Sequence, residues 1–435
     1  MDLRITRRRE DTVPRSGSQA MRCRRPALLL VVASLTMGAG CTASSGPSSR
    51  AMACNTPGID GTKIKIGLVY PDTGLLSTAF RDARSGAEAR IRAANEAGGV
   101  NGRTVEYVLR DDHSDAASND KAVRDLVGNE KVFGLMETTA VASGGAQYLS
   151  KESIPTTGIA AERVWSENKN MFAASDSFAE SSALGVFGRY VRSLGGTKAA
   201  TINVETVTAA ADISRQLENA LRDAGIAVLP QPFIYNQETV SPQYIARQIR
   251  ESGADVVIGG MGADQSATVL PAVRAGGAQI RAVIIPGGND PAYLLRYGTS
   301  LSGVSTFVQY IPFEIGGAAH SKYLEAMARF APEIDSPKSG AALGGYVQAD
   351  LFLRGLEISG SCPTRESFVT RLSATKDYTA GGLLPGPADL SDSPDIVTRC
   401  IAILRVDSAG TGFELVRDPA ATPDNPHAWC TTQPQ

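Results

Sequence analysis

The chain has 435 residues and a formal net charge of −2. Its first 40 residues contain eight Arg and three acidic residues, so the remainder holds 35 basic and 42 acidic residues and has a net charge of −7. An acidic composition of this kind argues against a nucleic-acid-binding protein, which needs a basic patch. About 375 residues follow residue 60, which is enough for two lobes of ordinary domain size.

The first 40 residues have the pattern of a secretory signal peptide. Three arginines between residues 22 and 25 precede an apolar run at 27–32, and small residues then lead to Cys41. Met21 is the more natural start, because the residues before it are polar. The apolar run is short for a transmembrane helix, and an uncleaved membrane anchor is the alternative interpretation.

The sequence MGAGC at 37–41 resembles the cleavage site of a bacterial lipoprotein signal. This resemblance implies that Cys41 carries a lipid and anchors the chain to the outer face of the cytoplasmic membrane. Gly38 stands where such signals usually carry Leu, and an ordinary signal with an incidental cysteine is the alternative. Residues 41–60 are then expected to form a flexible tether, because they begin with a Ser-, Gly- and Pro-containing stretch.

Four further cysteines predict two disulfide bonds in an exported chain. The sequence allows three connectivities. We expect Cys362–Cys400 and Cys54–Cys430, since the second bond would join the two ends of the chain. Free buried thiols are the alternative.

Strand and helix patterns alternate from Lys63 onward, with short links between them. A first series predicts strands at 63–70, 103–112, 131–136 and 153–158, with helices at 80–94, 114–127 and 142–153. A second series predicts helices at 179–194, 212–225, 243–253 and 264–277, strands at 198–204, 254–260 and 280–288, and an extended stretch at 226–235. The C-terminal part adds helices at 320–332 and 341–359 and strands at 399–410 and 412–418.

Such alternation predicts an α/β protein with two doubly wound parallel-sheet lobes joined by a hinge of several strands. We assign residues 61–177 to the N-terminal lobe and 178–310 to the C-terminal lobe. Residues 311–361 should return to the N-terminal lobe, and residues 362–435 should complete the C-terminal lobe and the hinge.

Motifs for catalysis or cofactor binding are missing from the sequence. It has no phosphate-binding loop, no complete dinucleotide fingerprint, no nucleophile elbow and no C-x-x-C pair. The three histidines are scattered, and the neighbouring Asp111 and Asp112 should point to opposite faces of a strand. We therefore expect that the protein is not an enzyme and that it has neither a cofactor nor a metal site.

Polar or glycine-rich loops follow the predicted strands at 71–74, 137–139, 158–162, 259–264 and 287–290. In open α/β sheets, the loops at the carboxyl ends of the strands form the ligand crevice. Backbone N–H groups at the following helix starts favour an anionic group there. These loops predict a small-molecule site between the two lobes.

Residues 64–127 resemble the N-terminal half of type I periplasmic ligand-binding proteins, especially the leucine/isoleucine/valine-binding proteins of amino-acid import. The matching features are a strand ending P-x-T-G at 71–74, a helix ending N-E-A-G-G-V-N-G-R at 95–103 and a strand ending at Asp112. The resemblance extends at least from Lys63 to about Pro312 and continues more weakly to the C-terminus. It implies a monomeric solute-binding protein that passes a small amino acid, amide or carboxylate to an ABC transporter permease.

The resemblance also implies a set of ligand-binding positions. In the family, hydroxyl groups and backbone amides hold the ligand carboxylate, and the matching positions are Thr138, with Thr139 beside it, and Ala160. Glu162 stands where a second hydroxyl is usual, with a solvated residue as the alternative. Thr73 sets the first crevice turn, and Ser77 lies on the rim that follows. The family's aromatic wall positions fall on Ala79, Thr208 and Met261, with Phe80 next to the first.

One departure from the family concerns the ligand's ammonium group. The acidic residue that usually pairs with it falls at about Gly287, which has no side chain to do so. Either Glu162 or Asp290 supplies the missing carboxylate, or the ligand is not an α-amino acid. An envelope lipoprotein of the same fold that senses or regulates a cell-wall or membrane protein is the alternative function.

Overall fold

The computed structural model describes residues 54–176, 185–204, 208–391, 400–422 and 426–430. The predicted signal peptide, Cys41 and most of the predicted tether lie outside the described residues. Within these ranges, none of the helices combines the length and apolar character needed to cross a membrane. The same ranges contain no group of three His, Cys, Asp or Glu side chains arranged to hold a metal ion.

The first sheet is entirely parallel and has the strand order β2-β1-β3-β4-β5. Its elements in chain order are β1 (Lys63–Tyr70), α1 (Ser77–Phe80), α2 (Ala83–Glu96), β2 (Thr104–Asp111), α3 (Ala116–Gly128), β3 (Leu135–Glu137), α4 (Ser143–Lys151), β4 (Thr156–Ala160), α5 (Val164–Glu167) and β5 (Met171–Asp176).

The second sheet is built around the parallel strands of the second series. Its elements in chain order are α6 (Gly185–Ser193), β6 (Lys198–Val204), α7 (Thr208–Asp223), β7 (Ala227–Val228), β8 (Phe233–Tyr235), α8 (Pro242–Ser252), β9 (Val256–Ile258), α9 (Ala263–Ala275), β10 (Ala282–Pro286), α10 (Pro291–Tyr297) and β11 (Val304–Val308), with a 3₁₀ turn at Gly298–Leu301.

The remaining elements attach to both sheets. They are α11 (Ala318–Phe330), α12 (Gly340–Ile358), α13 (Arg365–Ser373), a 3₁₀ turn at Ala380–Gly382, β12 (Cys400–Val406), β13 (Phe413–Val416) and β14 (Trp429–Cys430). The second sheet has the order β13-β12-β11-β10-β9-β6-β7, with β8 on β6 and β14 on β12. Among the described strands of this sheet, only the pairs that β12 forms with β11, β13 and β14 are antiparallel.

Both sheets are covered by helices on their two faces, which confirms the predicted α/β class. In the first lobe, α2 and α11 to α13 cover one face, and α3 and α4 cover the other. The central strands β9 and β11 are buried along their whole length. The sequence Val-Val-Ile of β9 is typical of a parallel strand that contacts helices on both sides.

Residues 362–435 were expected to complete the C-terminal lobe. The first part of this segment, which includes α13, packs on the first lobe instead. Phe368 of α13 and Leu390 lie in the core of the first lobe. Arg365 donates hydrogen bonds to the backbone carbonyls of Phe133 and Val132, at 2.9 and 2.8 Å. These contacts hold α13 on the first sheet. The predicted crossing at residues 177 and 178 lies outside the described residues, so the lobe limits stay a prediction.

The described part of the chain contains two disulfide bonds, but the predicted pairing of Cys362 with Cys400 and of Cys54 with Cys430 was wrong. The bonds join Cys54 to Cys362 and Cys400 to Cys430. Cys400 and Cys430 lie directly opposite each other on the antiparallel strands β12 and β14. Cys54 is held beside the end of α12, where Arg103 donates both to its sulfur and to the carbonyl of Ser361.

Candidate functional site

The predicted crevice loops of the first lobe follow the carboxyl ends of β1, β3 and β4. The predicted crevice loops of the second lobe follow the carboxyl ends of β9 and β10. Within each lobe these strands run parallel, so their loops meet at one edge of each sheet. A contact joins the two lobes: Ser336, which precedes α12 of the first lobe, donates a 2.6 Å hydrogen bond to Asp290, which follows β10 of the second. The crevice is therefore bounded by loops from both lobes.

The first crevice turn is held by Asp111, at the end of β2. One carboxylate oxygen accepts from the backbone N–H groups of Asp72 and His113, at 3.0 and 2.8 Å, and the other accepts from the Thr73 hydroxyl at 2.7 Å. Burial raises the pKa of Asp111, but the hydrogen bonds from Thr73 and His113 outweigh it and lower the pKa. Gly74 has φ +92°, and a methyl group on it would lie 2.1 Å from the His113 carbonyl.

Thr73, His113 and Asp111 do not form a catalytic triad. The Thr73 hydroxyl and the Asp111 carboxylate both contact Nδ1 of His113, at 2.6 and 2.9 Å. A proton relay needs the hydroxyl and the carboxylate on different ring nitrogens. The three groups instead hold the β1 and β2 loops together.

The rim that follows the turn has a polar and an apolar part. The hydroxyl of Ser77 donates to the Gly74 carbonyl at 2.9 Å. Phe80 is half-buried and packs in an apolar cluster. The other members of this cluster lie at the ends of β3 and β4 and on the first turn; they are Leu76, Ala140, Ile159 and Ala161.

Both predicted threonines after β3 are buried and have partners within the chain. The Thr138 hydroxyl donates to Oε1 of Gln348 on α12, at 2.5 Å, and the Thr138 backbone N–H donates to Val69. The Thr139 hydroxyl accepts from the backbone N–H of Val141 at 3.3 Å. Gln348 was not predicted. Its only signal in the sequence is that it is a polar amide within the apolar stretch of α12.

Glu162 is not solvated, because only 4% of the residue is exposed. Its two carboxylate oxygens accept from the backbone N–H and the hydroxyl of Ser143, at 2.8 and 2.7 Å, at the start of α4. Burial raises the pKa of Glu162, the bonds from Ser143 lower it, and the charges of Asp212 and Asp112 raise it further. Asp212 lies on α7 of the second lobe, so acids from both lobes influence this group. Ala160 is buried at the end of β4.

A second buried acid, Glu137, lies at the end of β3 and was not predicted as a site residue. The side-chain amide of Asn119 lies 3.5 Å from one Glu137 oxygen and 3.4 Å from Asp112. Burial is the main cause that raises the pKa of Glu137 to about 8, and the charges of Asp112 and Glu162 add to it. Glu137 therefore carries a proton at neutral pH. Its other oxygen, Oε1, has no hydrogen-bond partner among the described residues.

The predicted site residues of the second lobe differ in burial and in their contacts. Met261 is fully buried and packs in the core of this lobe. Asp290 accepts from the Ala292 backbone N–H at 2.9 Å and so caps α10 as well as bonding Ser336. Asn289 donates to the Tyr310 hydroxyl. The side chain of Thr208 lies outside the described residues.

Two parallel-sheet lobes, whose carboxyl-end loops bound a shared crevice, define the class of two-lobed α/β binding proteins. The chain belongs to the periplasmic binding protein family, whose model matches residues 63–411. The resemblance recognised in the sequence is thereby confirmed. Membership of this family implies an extracytoplasmic location, and the family consists of binding proteins rather than enzymes.

Known relatives agree with this assignment. The Leu/Ile/Val-binding protein homolog 7 of Brucella suis biovar 1 (strain 1330) is 25% identical over 316 residues, which cover 67% of this chain and 76% of the relative. A fatty acid ABC transporter substrate-binding protein from Thermomonospora curvata matches with a TM-score of 0.71 and 17% identity, over 86% of this chain and 94% of that one. A branched chain amino acid ABC transporter from Thermus thermophilus with bound valine matches with a TM-score of 0.72 and 15% identity, over 83% and 97%. These structures show the type I periplasmic-binding-protein fold.

Proposed function

We propose that this protein captures one small ligand in the crevice between its lobes and delivers it to an ABC importer. The observation that carries the proposal is the family match over residues 63–411, combined with the hydrogen bond between Ser336, before α12 of the first lobe, and Asp290 in the crevice loop after β10. A lipid on Cys41 would hold the monomeric protein at the outer face of the cytoplasmic membrane. Opposed lobes of this kind close on a ligand by a hinge motion.

The proposed ligand is an amino acid, an amide or a carboxylate. Relatives with amino-acid and fatty-acid names support this range, because both kinds of compound carry a carboxylate. An α-amino acid also needs a negative partner for its ammonium group, and Gly287 cannot supply one. Glu162, which follows β4, or Asp290, which follows β10, is our proposed replacement.

A thermal-denaturation screen of the purified mature chain tests the proposal. Leucine, valine, benzoate and octanoate, each with its primary amide, form the panel. A ligand present at a thousand times its Kd should stabilise the native state by about 4 kcal/mol. We expect one chemical class to raise the melting temperature. If every compound leaves it unchanged, the ligand-binding function is wrong for this range of ligands.

Thr138→Val tests the proposed contact at the end of β3. If the hydroxyl bonds the ligand, the affinity should fall by about 1–3 kcal/mol, because a buried polar group loses its partner. Isothermal titration calorimetry measures the change. Thr104→Val is the control, since Thr104 is exposed at the start of β2. Equal affinities of the Thr138 variant and the wild-type protein would remove Thr138 from the site.

A further inference from the structure

Gln348 is an amide buried in an otherwise apolar part of α12. It is 4% exposed, and its neighbours on the helix include Val347, Ala349 and Leu351, all buried. Burying an amide is unfavourable unless its polar atoms are hydrogen-bonded. The Oε1 atom is bonded to the Thr138 hydroxyl, but Nε2 has no partner among the described residues.

The position of Gln348 relates it to the crevice. Its backbone carbonyl accepts a 3.1 Å hydrogen bond from Thr157 of β4, and its side chain reaches Thr138 after β3. The residue thus contacts two adjacent parallel strands, one at its second residue and the other just past its carboxyl end, where a crevice loop begins. Thr138 is itself only 1% exposed, and the bond from its hydroxyl to Gln348 is buried.

A hydroxyl has one proton and two lone pairs, whereas an amide has a donating and an accepting end. While Thr138 donates to Oε1, its hydroxyl can only accept from a ligand. If the side-chain amide of Gln348 turns by about 180° about its last side-chain bond, Nε2 donates to the Thr138 oxygen instead. The hydroxyl proton is then free for a ligand carboxylate, and the unpartnered Nε2 gains an acceptor.

We propose that Gln348 is a specificity-determining positioning residue, whose amide orientation decides whether Thr138 donates to the ligand or accepts from it. The inference rests on the proposed function, because it requires that the ligand reaches Thr138. It adds a residue from α12 to a site otherwise formed by loops. A bound carboxylate selects the orientation in which Nε2 faces Thr138, and a bound amide N–H selects the other.

The test compares a carboxylate with its primary amide, for example leucine with leucinamide or benzoate with benzamide. Gln348→Glu presents only acceptor oxygens when its carboxyl group is ionised, so binding is measured up to about pH 9, because burial raises the pKa of a carboxyl group. In the ionised form, Thr138 must donate to residue 348 and cannot donate to the ligand. We expect the ratio of the two Kd values to shift toward the amide by about tenfold, the effect of one misdirected hydrogen bond. Gln348→Met leaves the hydroxyl free to do either, so it should shift the ratio less.

The same substitutions in the Thr138→Val background separate positioning from packing. There, neither Gln348 variant should change the ratio by more than about twofold, because the two effects are coupled through one contact. An equal shift in both backgrounds, or no shift in the Gln348→Glu variant, overturns the proposal while the binding function stands. If that variant does not fold, Gln348→Met carries the test: the ratio should move by a smaller factor in the Thr138 background and stay unchanged within about twofold in the Thr138→Val background. A ratio equal to that of the wild-type protein in the Thr138 background then overturns the proposal. A wild-type protein that binds none of the compounds overturns both proposals.

Discussion

At the scale of single residues, the buried carboxyl group of Glu137 links folding to pH. Its pKa is raised to about 8 from an ordinary value of 4.5, mainly by burial. A carboxyl group with a raised pKa stabilises the native state while it is protonated in both states. Its stabilisation is fully present below about pH 4.5 and is lost as the pH rises to about 8.

Glu137→Gln keeps the shape of the side chain and removes its titration. The stability of the variant relative to the wild-type protein should rise between pH 5 and pH 8.5. We expect this rise to be roughly 2–5 kcal/mol in the free energy of unfolding. Urea unfolding at both pH values measures this difference.

Glu325→Gln is the matched control for this prediction, because its carboxyl group is exposed on α11. The control should follow the wild-type pH profile. A Glu137→Gln profile that also runs parallel to the wild type between pH 5 and 8.5 would show that Glu137 does not hold its proton in the folded protein.

At the scale of elements, α2 and α12 pack through small residues that let their backbones touch. A methyl group on Gly86 of α2 would lie 1.8 Å from the Ala342 carbonyl, and one on Gly345 of α12 would lie 1.9 Å from the Ala83 carbonyl. The contact is thus reciprocal. It holds α12, and with it Gln348, against the first lobe.

Gly86→Ala or Gly345→Ala should therefore destabilise the protein. Overpacking of this kind typically costs about 1–3 kcal/mol, which exceeds the gain of about 1 kcal/mol that alanine brings to a helix. The midpoint of urea unfolding measures the change.

Gly128→Ala provides the control, because Gly128 ends α3 and a methyl group there would meet nothing within 4 Å. This variant should be neutral or slightly more stable. If all three variants unfold at the same urea concentration, the backbones of α2 and α12 are not in contact as described.

At the scale of the whole molecule, the two disulfide bonds close loops of very different length. Cys54 and Cys362 are 308 residues apart, and Cys400 and Cys430 are 30 apart. In the chain-entropy model, the two bonds stabilise the folded state by about 5–6 and about 3.5 kcal/mol, because the longer loop restricts the unfolded chain more.

The paired variants Cys54→Ser with Cys362→Ser and Cys400→Ser with Cys430→Ser test this difference. We expect the first pair to lose more stability in urea unfolding than the second. Peptide mapping without reduction is the direct check of connectivity. Recovery of a peptide that joins Cys362 to Cys400 would contradict the pairing described here.

The sequence by itself determined the fold class and the family. The apolar periods of β1 and α2 and the turn at 71–74 are local properties, and local patterns reveal parallel strands and the loops that end them. These patterns also located the crevice, because every parallel strand presents its carboxyl-end loop at the same edge.

Only the tertiary structure decided the cysteine pairing, the burial of Glu162 and the contacts of Gln348. Cys400 faces Cys430 because β12 and β14 pair antiparallel, and that register is not written in the spacing of the cysteines. Glu162 accepts from Ser143 at the start of α4, and Gln348 reaches Thr138 across 210 residues of chain. Such contacts join segments that are distant in the sequence, and the charge and hydrogen-bonding state of a side chain depend on them.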